Sequence, residues 1–236
     1  MKKLFLLLCA VILSGGLFAQ DSLRVSSRQP RLEDVLQVLE MNDVFIHRFD
    51  LRSLLKAHYD VFFYVDEYRH AEKQGRVRRF MFGPNVESVE SYPEEDREAV
   101  RKMFNLAPDE DEFEVIKDVT LTFRVVDDSL AYISASSSGL GMMAGEVRLY
   151  PVVPDQGDAF YMYSTRPFRL DAVADADAVE IPLVFYGSAW YDKQAHITRF
   201  CGEDEIDPQL QAQIVKDVPH FYVVGMGLEK LPEEEQ

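Results

Sequence analysis

The sequence predicts an α+β fold, mainly antiparallel β-sheet with a few packed helices. Two observations carry that reading. Alternation of apolar and polar residues recurs through the second half, as in Val115 to Val126, where Val115, Val119, Leu121, Phe123 and Val125 share one face. Helical spacing is confined to short stretches such as Leu32, Val35, Leu36 and Leu39. No internal repeat or heptad interrupts the pattern.

At the N-terminus, Lys2 and Lys3 precede an apolar run from Leu4 to Leu17, and Ala19 stands before the polar Gln20. This is the pattern of a secretory signal peptide over residues 1–19. The run falls short of the roughly 20 apolar residues of a membrane span. Once the leader is removed, no transmembrane segment is expected. Residues 20–30 read as a linker and residues 31–232 as one α+β domain, with a candidate internal boundary in the acidic stretch near 107–112.

Glu33 and Asp34 favour a helix start, and Asn42 offers a stop. Val44 to Phe49 alternates as a strand, and Asp50 then caps an expected helix carrying Leu51, Leu54, Leu55 and His58. Aromatic and β-branched residues from Tyr59 to Arg69 indicate a strand covered on both faces. Gly75 is placed in a longish turn of a hairpin spanning Asp60 to Phe82. Ser91-Tyr92-Pro93-Glu94 has the form of a capping box, opening a helix with Ala99, Val100, Met103 and Phe104 on its apolar face.

Asp127-Asp128-Ser129 turns the chain into a strand at Leu130 to Ala135. "SSSGLGMMAG" reads as a flexible loop, with strands expected at Glu146 to Val153 and Ala159 to Ser164. Ala178 to Tyr186 alternates with Val179, Ile181, Leu183 and Phe185 inward, and Pro182 argues for a sheet edge. Asp207-Pro208 opens an expected helix with Leu210 and Ile214 on one side. Pro219 ends it, and Phe221 to Met226 forms the last strand.

The charge balance narrows the partners. With 41 acidic and 25 basic residues the net charge is −16, which repels phosphate backbones and anionic headgroups. Nucleic acid is therefore excluded as a partner, and a protein or glycan is expected. Outside the leader the one cysteine is Cys201, so no intramolecular disulfide forms. Burial is the common fate of a free cysteine, and Cys201 is expected to be structural.

Chemistry is concentrated in "FYGSAWYDKQAHITRFCGEDE", Phe185 to Glu205. His196 and Cys201 are five residues apart and diverge on a regular strand, which counts against a thiol–imidazole pair. Metal-ligand types are present without paired spacing. Asp171, Asp175 and Asp177 lack the central glycine and terminal glutamate of an EF-hand loop. Neither a Gly-x-Ser-x-Gly elbow nor a phosphate-cradling loop occurs. No catalytic residue, metal or cofactor is assigned. What remains is a set of ligand-binding candidates: Trp190 and Tyr191, whose rings suit stacking on a sugar, with Asp192 and His196 beside them.

"LFAQ", "VFYGSAWYDKQAHITRFCGEDEIDP" and "PHFYVVGMGLEKL" resemble an uncharacterised family of exported proteins from Bacteroidetes-type bacteria. The resemblance implies export into a Gram-negative envelope and carries no mechanism. The expected function is that of a periplasmic, cell-envelope or secreted binding protein without catalytic activity. The alternative is a carbohydrate-active protein of the same compartment, binding or hydrolysing glycans through Trp190, Tyr191 and Asp192.

Overall fold

The computed structural model describes residues 29–137, 140–170 and 178–232. The described residues from Val35 onward belong to one compact unit. In chain order the elements begin with α1 (Leu32–Glu40), β1 (Val44–Asp50), β2 (Tyr59–Arg69), β3 (Glu72–Pro84) and β4 (Val86–Ser88). They continue with α2 (Glu94–Phe104), β5 (Glu112–Glu114), β6 (Asp118–Asp127), β7 (Leu130–Ser137) and β8 (Leu140–Arg148). The last are β9 (Tyr163–Pro167), β10 (Ala178–Ser188), β11 (Trp190–Asp192), β12 (Ile197–Arg199), α3 (Gln213–Asp217) and β13 (His220–Lys230).

Two antiparallel sheets dominate, in strand orders β1-β6-β7-β8 and β3-β2-β13-β10-β9. Alternation puts Val119, Leu121, Phe123, Ala131, Ile133 and Ala135 on the inner face of the first. They pack in one cluster with Val61, Phe63, Val65, Leu183, Val224 and Met226 of the second. The second sheet is covered on its other face as well, where Phe62, Tyr64, Phe185 and Phe221 pack with Phe168, Ile206, Ile214 and Val218. Double coverage explains why β2 is apolar almost throughout rather than alternating. Strands account for 52% of the structure and helices for 14%, so sheet outweighs helix more heavily than the expected α+β description implies.

On that second face, two glycines of β13 sit directly beneath aromatic rings of β2. A Cβ on Gly225 would lie 2.4 Å from the Tyr64 ring, and one on Gly227 only 2.0 Å from the Phe62 ring. Arginines of β3 cap the rings from above: Arg76 stands 4.2 Å over Tyr64 and Arg79 3.8 Å over Phe62. Arg76 is itself fixed by Asp66 (2.8 Å) and Glu180 (2.7 Å). Asp66 is buried, which raises its pKa, but hydrogen bonds from Arg76 and Lys73 outweigh burial and hold it below its ordinary value.

The two sheets also approach each other along both sides. Gly145 of β8 lies under Arg78 and Phe80 of β3, where an added Cβ would be 3.0 Å from each. On the opposite side, His47 Nε2 of β1 is 2.8 Å from Thr165 Oγ1 of β9.

Several local expectations are corrected. Asp50 accepts from the backbone N–H of Arg52, but only a single turn follows, closed by Leu54 and Leu55 N–H to the Leu51 carbonyl. Leu51 and Leu55 are buried there without a helix, because the chain must reach β2, whose first N–H is held by Asn85 Oδ1 at 2.7 Å. The β2–β3 turn is His70-Ala71, both with positive φ, and Gly75 lies within β3 beside a bulge.

No capping box forms at α2: Pro93 caps without a side-chain bond, and the Ser91 hydroxyl turns back to the Ser88 carbonyl. Met103 is 77% exposed rather than part of the packed face. The glycine-methionine stretch from Leu140 is strand β8, not loop, because its backbone pairs with β7. The strand expected at Ala159 to Ser164 is displaced to β9, Tyr163–Pro167.

Pro182 does not mark a sheet edge, since β10 runs between β13 and β9. The physics behind the expectation holds locally: β9 pairs with β10 only from Val184 onward, and the pairing with β13 shifts register between Pro182 and Val184. That shift turns Phe185 toward the second cluster instead of the inner core. Asp207 makes a turn, accepting from Gln209 N–H at 2.7 Å, and the helix begins later at Gln213 because Leu210 takes a positive φ. Residues 1–19, expected to form a signal peptide, and Asp171, Asp175 and Asp177 lie outside the described residues.

Candidate binding surface at the joined sheet edges

Beyond β10 the chain makes a small ribbon, with Trp190 opposite Arg199, Tyr191 opposite Thr198 and Asp192 opposite Ile197. Asp192 organises its turn. One carboxylate oxygen accepts from Gln194 N–H (2.9 Å) and Ala195 N–H (3.1 Å), the other from Arg199 Nε (2.8 Å). The Ala195 backbone bond, with Arg199, holds its pKa below the ordinary value. His196 occupies the positive-φ position of the turn, φ 54°, and its Nδ1 is 3.4 Å from the Tyr191 hydroxyl.

The four sequence candidates therefore divide. Trp190 and Asp192 line one shallow hollow of ≈ 550 Å³, together with Arg199, Cys201 and Asp217. Trp190 is half-buried and also packs on the second apolar cluster. Asp192 spends its acceptors on the turn and on Arg199, while Tyr191 and His196 keep company with each other.

Cys201 corrects the expectation of a buried, structural thiol. It is exposed, because the chain leaves β12 at Arg199 and Phe200–Gly202 forms an irregular segment over the sheet edges. The same cysteine lines a second hollow of ≈ 490 Å³, where Ile46 and His47 of β1 face Thr165 and Arg166 of β9 beneath Phe200. Burial lowers the pKa of His47, which keeps its ring neutral beside Thr165.

Arg166 is half-buried in this hollow. Its Nη1 donates to Ser164 Oγ at 3.1 Å and its Nη2 to the Phe200 carbonyl, and among the described residues it makes no ion pair. Burial disfavours its charge, and the carboxylates of Asp204 and Glu203 offset this only from a distance. Sequence reasoning missed His47, Arg166 and Phe200. His47 and Thr165 are 118 residues apart, and nothing local announces that two strand edges meet there.

A buried polar chain lies elsewhere, between the sheets. Tyr163 O–H donates to His220 Nδ1 at 2.7 Å, and His220 Nε2 faces Glu67 at 3.3 Å. The Tyr163 oxygen accepts from Tyr150 N–H at 3.0 Å, and Glu67 accepts from Arg69 at 2.7 Å. Among the described residues no group of three or more His, Cys, Asp and Glu side chains is placed to hold a metal ion.

These features define a sheet-dominated antiparallel protein with shallow hollows where the sheet edges join. No helix among the described residues is long and apolar enough to cross a membrane. The family described as a domain of unknown function, DUF5041, matches residues 17–230, and the chain belongs to that family. Neither a curated protein nor a solved structure matches it.

Proposed function

We propose that this is an exported binding protein of the cell envelope or extracellular space, without catalytic activity, and that the hollow between β1 and β9 is its working surface. The observation carrying this reading is the composition of that hollow. Ile46 is 43% and Phe200 52% exposed beside a half-buried guanidinium, a mixture that favours a ligand with both apolar and charged parts. The basic leader and the family resemblance of "LFAQ" support export from a Gram-negative cell of the Bacteroidetes type.

The carbohydrate-active alternative draws on Trp190 and Asp217 in the neighbouring hollow. Against hydrolysis, Asp192 is already occupied by Arg199 and two backbone N–H groups. One experiment separates the readings. Trp190 is the sole tryptophan and lines the adjoining hollow, so its emission reports on this surface. Titration with peptide and oligosaccharide panels should give a saturable emission change with no product formed. Release of reducing ends from any glycan would replace this reading with the carbohydrate-active one.

A further inference from the structure

A guanidinium removed from water is costly unless an anion meets it. In a chain of net charge −16, a half-buried arginine would ordinarily find a carboxylate, as Arg76 does twice and Arg199 does with Asp192. Arg166 instead rests on a serine hydroxyl and a carbonyl, neither of which neutralises it. Both neighbouring strands are sheet edges, since β1 pairs with β6 and β9 with β10. A strand outermost in its sheet is what an extended chain can pair with, although the Pro167 carbonyl of β9 already accepts from Ile206 N–H at 3.0 Å.

We infer that the hollow between β1 and β9 captures the free C-terminal carboxylate of an extended peptide on Arg166, with the last apolar side chain against Ile46 and Phe200. Glu40 and Asp204, which also line the hollow, favour a basic residue further along that peptide and disfavour an acidic one. The planar guanidinium fork matches a carboxylate, and three of its five N–H groups are free of the two bonds described. The inference rests on the binding reading above and narrows it to one ligand class.

The test uses the unaltered protein first. Octapeptides with an apolar last residue and one internal lysine are titrated in two forms, with a free C-terminus and with a C-terminal amide. The free form should bind at least about tenfold more tightly, the size of one charge-assisted contact. Replacing the lysine by glutamate should weaken binding further. Arg166→Gln should erase the difference between free and amidated peptides, with thermal melting as the check on its fold. Equal binding of the two forms, binding indifferent to Arg166→Gln in a folded variant, or no binding by any peptide of the panel would overturn the inference. Glycan binding in that last case would leave the broader binding reading standing, whereas glycan turnover would remove both.

Discussion

The Tyr163 hydroxyl and His220 Nδ1 lie 2.7 Å apart, in side chains that are both almost wholly buried. Their partners settle the protons. A carboxylate only accepts, so His220 carries its hydrogen on Nε2 toward Glu67, and Nδ1 is left to accept from Tyr163. The chain joins β9, β13 and β2, with the Tyr150 ring tilted at 49° against the imidazole, centroids 4.4 Å apart. Tyr163→Phe strips His220 of its donor and leaves the Tyr150 N–H unpaired. A loss of about 1–3 kcal/mol is expected by urea denaturation. An unchanged midpoint would mean that water replaces the hydroxyl freely.

Acid should loosen the same place. Burial pulls the His220 pKa from 6.5 to about 4, outweighing the upward pull of Glu67. Arg69 opposes protonation as well, while Tyr150, Tyr163 and Tyr222 surround the ring without charge. The unfolded chain thus takes up a proton that the folded chain refuses. The stabilisation is complete above pH 6.5 and declines as pH falls toward 4, by at most about 1.4 kcal/mol per unit. Glu67 acts in the same direction: burial raises its pKa, Arg69 and His220 lower it further, and its contribution fades below its ordinary 4.5. Denaturation at pH 7, 5.5 and 4.5 should show a slope that His220→Gln reduces. Parallel slopes in the two proteins would count against the assignment.

Gly227→Ala should destabilise the fold by about 1–3 kcal/mol, the usual cost of overpacking. The added methyl would enter the Phe62 ring at 2.0 Å. Phe62→Leu in the same chain should recover part of the loss, which a thermodynamic cycle of the two changes would reveal.

Cys201 should react in the native state. Because it is exposed, a thiol reagent at neutral pH should label it stoichiometrically without unfolding, at a rate near that of the denatured chain. Protection by a saturating free-carboxylate peptide would place that ligand against the segment shared by the two hollows that Cys201 lines. Slow labelling of the native protein would contradict the exposed position.

The proposed export with leader cleavage requires that intact mass of protein recovered from the cell envelope or medium correspond to a chain beginning at Gln20. A species retaining Met1 to Ala19 would exclude leader cleavage there.

Strong periodicity made most strands legible. β6 and β7 alternate cleanly because one face meets the other sheet and one meets water, and β2 betrayed its double coverage by an unbroken apolar run. Short elements were not legible after Asp50 and Asp207, because capping chemistry there fits an isolated turn as well as a helix. β8 was hidden by its two glycines, of which Gly145 belongs under Arg78 and Phe80, a fact of packing between distant strands. The site divides the same way. Trp190 and Asp192 stood out by residue type, whereas Arg166 acquires its meaning only when β9 meets β1.

The glycine, ring and guanidinium layers at 225/64/76 and 227/62/79 bear on how this chain can vary. Each layer draws one residue from β13, one from β2 and one from β3, so its members are tied by volume rather than by sequence proximity. Enlarging position 227 demands a smaller partner on β2, and a smaller partner leaves the arginine above it without a surface to rest on; position 225 is closed as well by the Ile181 carbonyl, 2.5 Å from an added Cβ, which no change on β2 relieves. Drift at position 227 must therefore come in matched sets. The β2–β3 hairpin and β13, from the far end of the chain, are thereby tied to each other, so a change in one limits what the other can accept.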